Sequence, residues 1–200
     1  MIEETWLMPF VEEVRKLARP DRSTMIDVGA NRGDWSALLK DDFDCIVAYE
    51  PDERLVSGLA SRFSSARNIR VLRQAVGATE GWQCFYERDG IAQSSLSEDH
   101  PFGHGRVAER YMVDVVTLPK CIDTWCDFVK VDIEGGESDL EYPDNVTCYL
   151  IECHGTFTEV LERIPPAYNV YRVSHPIPAA ALQGHCWLFA VREVPDGLGN

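Results

Sequence analysis

The chain has 200 residues, 45% of them hydrophobic and 26% charged, proportions of an ordinary folded domain that exclude wholesale disorder. Its formal net charge of −14 opposes nucleic-acid binding, which draws on Lys and Arg to neutralise phosphates. No apolar run approaches the roughly 18–20 residues that cross a bilayer, and the acidic start Met1-Ile2-Glu3-Glu4 lacks the basic and apolar regions of a signal peptide, so a single cytoplasmic domain with no membrane partner is expected.

Trp6, Phe10, Val11, Val14, Leu17 and Ala18 recur at helical spacing, which predicts an amphipathic helix over 5–18 that stops near Arg19-Pro20. Met25–Val28 reads as the first strand, 34–40 as a helix entered at Gly33, and 45–50 as the second strand. Pro51 suits the start of the next helix, through Leu55, Leu59 and Ala60. A third strand is predicted over Ile69–Val76, with two more over 82–87 and 112–117. The polar stretch between those two, 88–109, is long for a connection, and loops of that length often act as lids.

Phe128–Asp132 and Val146–Cys153 read as strands, 138–142 and 157–163 as short helices, and Tyr168–Val173 and Cys186–Val191 as strands with no crossover helix between them. The alternation predicts an α/β fold, a largely parallel sheet with helices on both faces and an antiparallel pair at one edge. Seven cysteines without a C-x-x-C pair, several inside apolar runs, read as reduced small hydrophobes.

Two strand ends carry the chemistry. Ile26-Asp27-Val28 runs into Gly29-Ala30-Asn31-Arg32-Gly33, and roughly 21 residues after Gly29 the second strand ends in Glu50-Pro51. A glycine turn lets a ligand approach backbone, and a strand-end carboxylate one strand–helix–strand unit later can accept hydrogen bonds from a ribose diol. The glycine spacing is D-x-G-x-x-x-G rather than G-x-G-x-x-G, and Asp27 places an acceptor suited to an ammonium group and ill suited to a pyrophosphate. The reading therefore favours S-adenosyl-L-methionine (SAM), with S-adenosylhomocysteine as product, over NAD or a flavin.

The glycine turn, Ala48-Tyr49-Glu50-Pro51, Gln74-Ala75-Val76-Gly77, Ser94-Ser95-Leu96 and the segment Lys130-Val131-Asp132-Ile133-Glu134-Gly135-Gly136-Glu137 follow one another in an order that resembles the FkbM-type methyltransferase family. The form K-x-D-x-E-G-x-E is its most specific element. After Glu137 the chain departs from the family, with Ser138-Asp139-Leu140-Glu141-Tyr142 in place of an apolar helix.

The resemblance implies a Rossmann-like doubly wound sheet of about seven strands, with an antiparallel edge strand and a β-strand/loop insertion. It also implies O-methylation of a hydroxyl on a sugar, glycan or natural-product-like small molecule. Asp27, Gly29, Ala30, Asn31, Gly33, Glu50, Pro51, Gln74, Ala75, Ser95 and Asp132 are expected at the cofactor, and Ser94, Glu134 and Glu137 at the acceptor.

Asp132 and His154 end neighbouring strands and are expected, with Glu134, to do the catalytic proton chemistry; Lys130 is expected to cover helix or strand surface. Asp132, Glu134 and His154 also offer oxygen and nitrogen ligands, but no diagnostic metal motif is present and no metal is assigned. The rival readings are a ribose 2′-O or cap methyltransferase acting on nucleic acid, and a SAM-binding module without turnover.

Overall fold

The computed structural model describes residues 8–19, 21–89, 94–98, 105–173 and 185–192. Residues 5–7 of the predicted first helix and 90–93 and 99–104 of the predicted lid lie outside them. The elements are α1 (Met8–Leu17), β1 (Thr24–Val28), α2 (Asp34–Leu39), β2 (Cys45–Tyr49), α3 (Glu53–Arg62), β3 (Ile69–Leu72), β4 (Ala75–Val76), β5 (Gly81–Arg88) and β6 (Val107–Val116). There follow α4 (Leu118–Cys121), β7 (Cys126–Val131), a 3₁₀ turn (Glu137–Asp139), β8 (Val146–His154), α5 (Phe157–Arg163), β9 (Tyr168–Val173) and β10 (His185–Arg192). No helix among them is long and apolar enough to cross a membrane.

The main sheet has seven strands in the order β3-β2-β1-β7-β8-β10-β9. β1 pairs in parallel with both β2 and β7, and β7 in parallel with β8. These central strands read as nearly continuous apolar runs because helices cover both faces. Side chains alternate between two cores: Ile26, Val28, Val129, Val131, Tyr149 and Ile151 on one face, Met25, Phe128 and Leu150 with Trp35, Leu39 and Trp187 on the other. The two late strands form the expected antiparallel pair at one edge, β10 lying between β8 and the edge strand β9.

Strand order reverses between β1 and β7, so the crevice beyond their carboxyl ends is the place where this architecture takes ligands. The registers Val28↔Tyr49 and Val28↔Val131 bring the residues that follow, Gly29, Glu50 and Asp132, to one rim. A second sheet, β4-β6-β5, stands over that crevice and supplies part of its wall.

The second sheet corrects the third predicted strand. β3 ends at Leu72, Arg73 and Gln74 intervene, and Ala75 and Val76 pair with Val115 and Val116 of β6 instead. Gln74 anchors the switch by donating to Asp114 Oδ2 at 2.6 Å. β6 is also longer than the predicted 112–117, so β5 and β6 take up both ends of the polar stretch. Far from the rim, the Arg19 guanidinium holds the buried Asp127 carboxylate (2.6 and 3.1 Å), which also accepts from the Thr24 amide, tying the end of α1 to the sheet.

Candidate active site

The glycine turn owes its shape to close approach. Gly29 (φ +70°) sits so near β7 that a Cβ there would lie 1.8 Å from the carbonyl oxygen of Asp132. Gly33 (φ +76°) starts α2, and its Cβ would meet Phe63 and Leu59 of the neighbouring helical segment at 2.6–2.7 Å. Gly29 therefore serves the cavity, whereas Gly33 serves helix packing. The amides of Gly29 and Ala30 both donate to the Tyr49 carbonyl (3.0 Å), locking the turn to the end of β2. Ala30 is buried and lies outside the cavity lining.

Glu50 follows β2, is 5% exposed, and receives one backbone amide on each oxygen: Asn31 on Oε2 at 2.7 Å and Asp52 on Oε1 at 2.8 Å. Burial raises its pKa to about 7, with these two hydrogen bonds pulling the other way. It lines a cavity of about 290 Å³ together with Gly29, Asn31, Pro51, Ala75, Ser94, Ser95, Asp132 and Glu134, a volume near the lower end for small-molecule sites. Tyr49, Leu55, Val76, Phe85 and Leu96 supply apolar walls. Tyr49, Val76 and Leu96 stand in the quoted motif segments but none of the five is among the expected site residues; Tyr49, directly before Glu50, and Phe85, on the inward alternation of β5, carried the signal.

Five further expectations need correction. Asp27 has no exposed surface; its Oδ2 accepts from the Ser36 hydroxyl at 2.6 Å and its Oδ1 lies 3.6 Å from Lys130 Nζ, so it braces the turn and does not line the cavity. Asp27 and Lys130 are register partners on β1 and β7, and their shared sheet face is the one α2 covers. Gln74 spends its amide on Asp114 and is not part of the lining. Glu137 is wholly buried: it accepts from the amides of Gly135 (3.0 Å) and Ile133 (3.3 Å) and pairs with His154, so it folds the turn after β7 and does not reach an acceptor.

The fourth correction concerns His154. Its ring is 2% exposed, Nδ1 is 2.9 Å from Glu137 Oε1 and Nε2 is 3.3 Å from Glu134 Oε2. Burial, the largest influence, pulls the imidazole pKa down, but Glu137, Glu134 and Asp132 outweigh it and hold it at about 10. A ring already protonated at neutral pH is no general base.

Lys130 is buried as well, against the expectation that it covers surface. Its ammonium donates to the Gly29 carbonyl (2.7 Å) and lies 3.3 Å from Asp132 Oδ2. Burial lowers its pKa, but Asp132, Asp27 and Glu152 more than offset this and the net shift is upward. Glu134, at φ +60°, points into the rim beside Asp132; burial and the Asp132 charge raise its pKa. Ser94 Oγ accepts from Arg54 Nη2 and the Arg88 amide, and Ser95 is buried with its hydroxyl donating to the Ser97 carbonyl.

A seven-stranded sheet with its crevice at the β1/β7 switch, a glycine turn and a strand-end carboxylate defines the Rossmann-like methyltransferase fold. Solved structures similar to the chain share it. An rRNA methylase from Streptococcus thermophilus (12% identity, TM-score 0.51) covers 96% of this chain and 98% of its own. A ribosomal protein L11 methylase from Lactobacillus delbrueckii subsp. bulgaricus (7%, TM-score 0.54) covers 94% and 80%. A precorrin-6y C5,15-methyltransferase from Geobacter metallireducens (12%, TM-score 0.52) covers 96% and 90%.

The chain belongs to the methyltransferase FkbM domain family, whose profile matches residues 27–140. No curated protein matches it. The acceptors named for the similar structures differ in kind, from RNA to protein to a corrin precursor, so the fold does not select one. The expectation that nucleic acid is not the acceptor draws no support from them.

Proposed function

We propose that the cavity binds SAM and that the protein transfers its methyl group to a hydroxyl of a small molecule, sugar or glycan. The observation that carries the reading is Glu50: a buried carboxylate with each oxygen held by one backbone amide, facing a glycine turn and walled by apolar side chains. Each oxygen keeps a lone pair for a ribose hydroxyl, and the walls suit an adenine ring. When bound, SAM supplies an electrophilic sulfonium methyl.

The residues of this chain then bind and orient. Glu50 holds the ribose, the Gly29 turn admits the amino-acid part, and Asp132 and Glu134 line the rim where the acceptor enters. Such positioning supplies roughly 7–11 kcal/mol of a two-substrate reaction's barrier. With His154 protonated and the Glu134 carboxyl raised to about 8, Asp132 is the carboxylate placed to receive the hydroxyl proton. Asp132, Glu134 and Asp139 make the lining acidic, which repels a phosphodiester and suits an acceptor without negative charge.

Methylation of nucleic acid is the second reading, and one observation favours it: Arg32, Arg54 and Arg62 surround a groove that shares Leu55 with the cavity. Two of these guanidiniums are already committed, Arg54 to Asp52 and Glu87 and Arg62 to Asp34. Calorimetry with SAM, S-adenosylhomocysteine and NAD tests the cofactor: micromolar binding of the first two, about −8 kcal/mol, and none of NAD is expected. Labelled SAM offered with separate pools of glycans, small alcohols and RNA tests the acceptor; label entering only RNA would overturn the small-hydroxyl reading.

A further inference from the structure

The acidic rim holds more than an acceptor needs. Asp132, Glu134 and His154 each present one ligand atom, and the three atoms lie within 4.8 Å of one another. Asp132 and Glu134 line the cavity, and His154 closes the set from beneath. Asp132 Oδ1 is buried with no hydrogen-bond partner, a cost that native structures rarely carry without a ligand or water to answer it.

The imidazole is arranged as metal-ligating histidines are. Nδ1 lies against the buried Glu137 carboxylate at 2.9 Å, which fixes the ring orientation and leaves Nε2 directed to Glu134 at 3.3 Å. Glu137 is itself immobilised by the Gly135 and Ile133 amides, so the carboxylate behind the ring belongs to the turn and not to a flexible surface. Five carboxylates, from Asp27, Asp132, Glu134, Glu137 and Glu152, gather around one imidazole and one ammonium, that of Lys130.

We propose that Asp132, Glu134 and His154 Nε2 bind a divalent cation at the rim of the cavity, with open positions toward the acceptor. Two carboxylate oxygens and one imidazole nitrogen suit a first-row divalent ion such as Mn²⁺, whose binding displaces the Nε2 proton to solvent. The role assigned to the ion rests on the methyl-transfer reading: it coordinates the acceptor oxygen and makes its proton easier to lose. With Asp132 and Glu134 holding the ion rather than taking the proton, the proton passes to bulk water through the open rim, the oxygen–carbon bond forms as the carbon–sulfur bond breaks, and the sulfonium leaves as a neutral thioether.

The test measures binding without turnover. Metal-free protein is titrated with Mn²⁺ alone, read by calorimetry and by loss of the free-ion magnetic resonance signal. S-adenosylhomocysteine is titrated separately. One saturable Mn²⁺ site per chain is expected, weakened at least tenfold by Glu134→Gln and by Asp132→Asn. Asp139→Asn, which removes another acid of the same lining, should leave it intact. Should His154→Gln fail to fold, Glu134→Gln, at a partly exposed position, still decides.

No saturable site at millimolar Mn²⁺, or equal affinity in every variant, overturns the proposal while S-adenosylhomocysteine binding leaves the methyl-transfer reading standing. Mn²⁺ binding without S-adenosylhomocysteine binding upholds the ion site and overturns its assigned role.

Discussion

Burial holds the Glu50 carboxyl near pH 7, so on the proposed reading one side chain governs both cofactor affinity and part of the pH response. Its folded pKa lies above the ordinary 4.5, and folding therefore favours its protonated form. That contribution to the stability of the unliganded protein is fully present below pH 4.5 and is lost as the pH rises through about 7, a loss on the order of 3 kcal/mol. Cofactor affinity is expected to run the other way, because on the proposed reading the carboxylate form accepts two ribose hydroxyls. Titrations of S-adenosylhomocysteine across this range should show wild-type affinity rising with pH. Glu50→Gln should bind about 1–3 kcal/mol more weakly, with no such rise, and its melting temperature should lose the matching pH slope. At Gly29, alanine must adopt a left-handed backbone, costing about 1–2 kcal/mol, and must also push the Asp132 carbonyl away. Gly29→Ala is therefore expected to lower denaturant stability by more than 2 kcal/mol and to abolish cofactor binding.

At the level of elements, adjacent strands and the segments between them share buried polar groups. Lys130 of β7 stitches β1 to β7 through the Gly29 carbonyl and Asp27. Removing one partner leaves a buried charge uncompensated, so Lys130→Met should cost about 3–5 kcal/mol, whereas the pair Asp27→Asn with Lys130→Met should cost less than the single change. A double-mutant cycle by urea denaturation checks this. Arg88, at the end of β5, is buried and donates to the carbonyls of Ser97, Glu98 and Gly105, joining the two flanks of the predicted lid stretch. Arg88→Met leaves those carbonyls without their donor. Faster amide exchange over 94–98 is expected, and weaker cofactor binding with it, since Ser95 and Leu96 line the cavity. Unchanged exchange there would reduce Arg88 to a bystander.

Across the whole molecule, the charge of −14 and the acidic lining point the same way. Polyanion affinity scales with the phosphates a surface neutralises, and two of the three arginines beside the cavity already hold carboxylates. The protein is expected not to be retained on immobilised single-stranded RNA at physiological salt. Retention that falls steeply with salt would revive the nucleic-acid reading and place the RNA in the Arg32, Arg54 and Arg62 groove.

The parallel sheet was legible because its strands are buried on both faces and must be largely apolar, as Phe128–Val131 (Lys130 apart) and Val146–Ile151 (Thr147 apart) are. The glycine turn and Glu50 were legible because backbone geometry restricts what residue can stand there: a Cβ at Gly29 would strike the Asp132 carbonyl. A chain read in one dimension therefore determined the sheet, the switch point and the end of the cavity that Gly29 and Glu50 form. It did not determine which carboxylates face the cavity. Asp27, Asp132, Glu134 and Glu137 look alike in sequence, yet Asp27 and Glu137 are enclosed and the other two line the rim. Nor did it show that β4 leaves the main sheet, since Ala75-Val76 continues the apolar pattern of Ile69–Leu72 and only pairing with β6 redirects it. The protonation of His154 was hidden for the same reason: its charge is set by Glu137 and Glu134, 17 and 20 positions away in the chain and brought to 2.9 and 3.3 Å by the turn after β7. Local backbone constraints leave marks on the sequence, whereas side-chain exposure and charge state arise from neighbours that only the packed fold brings together.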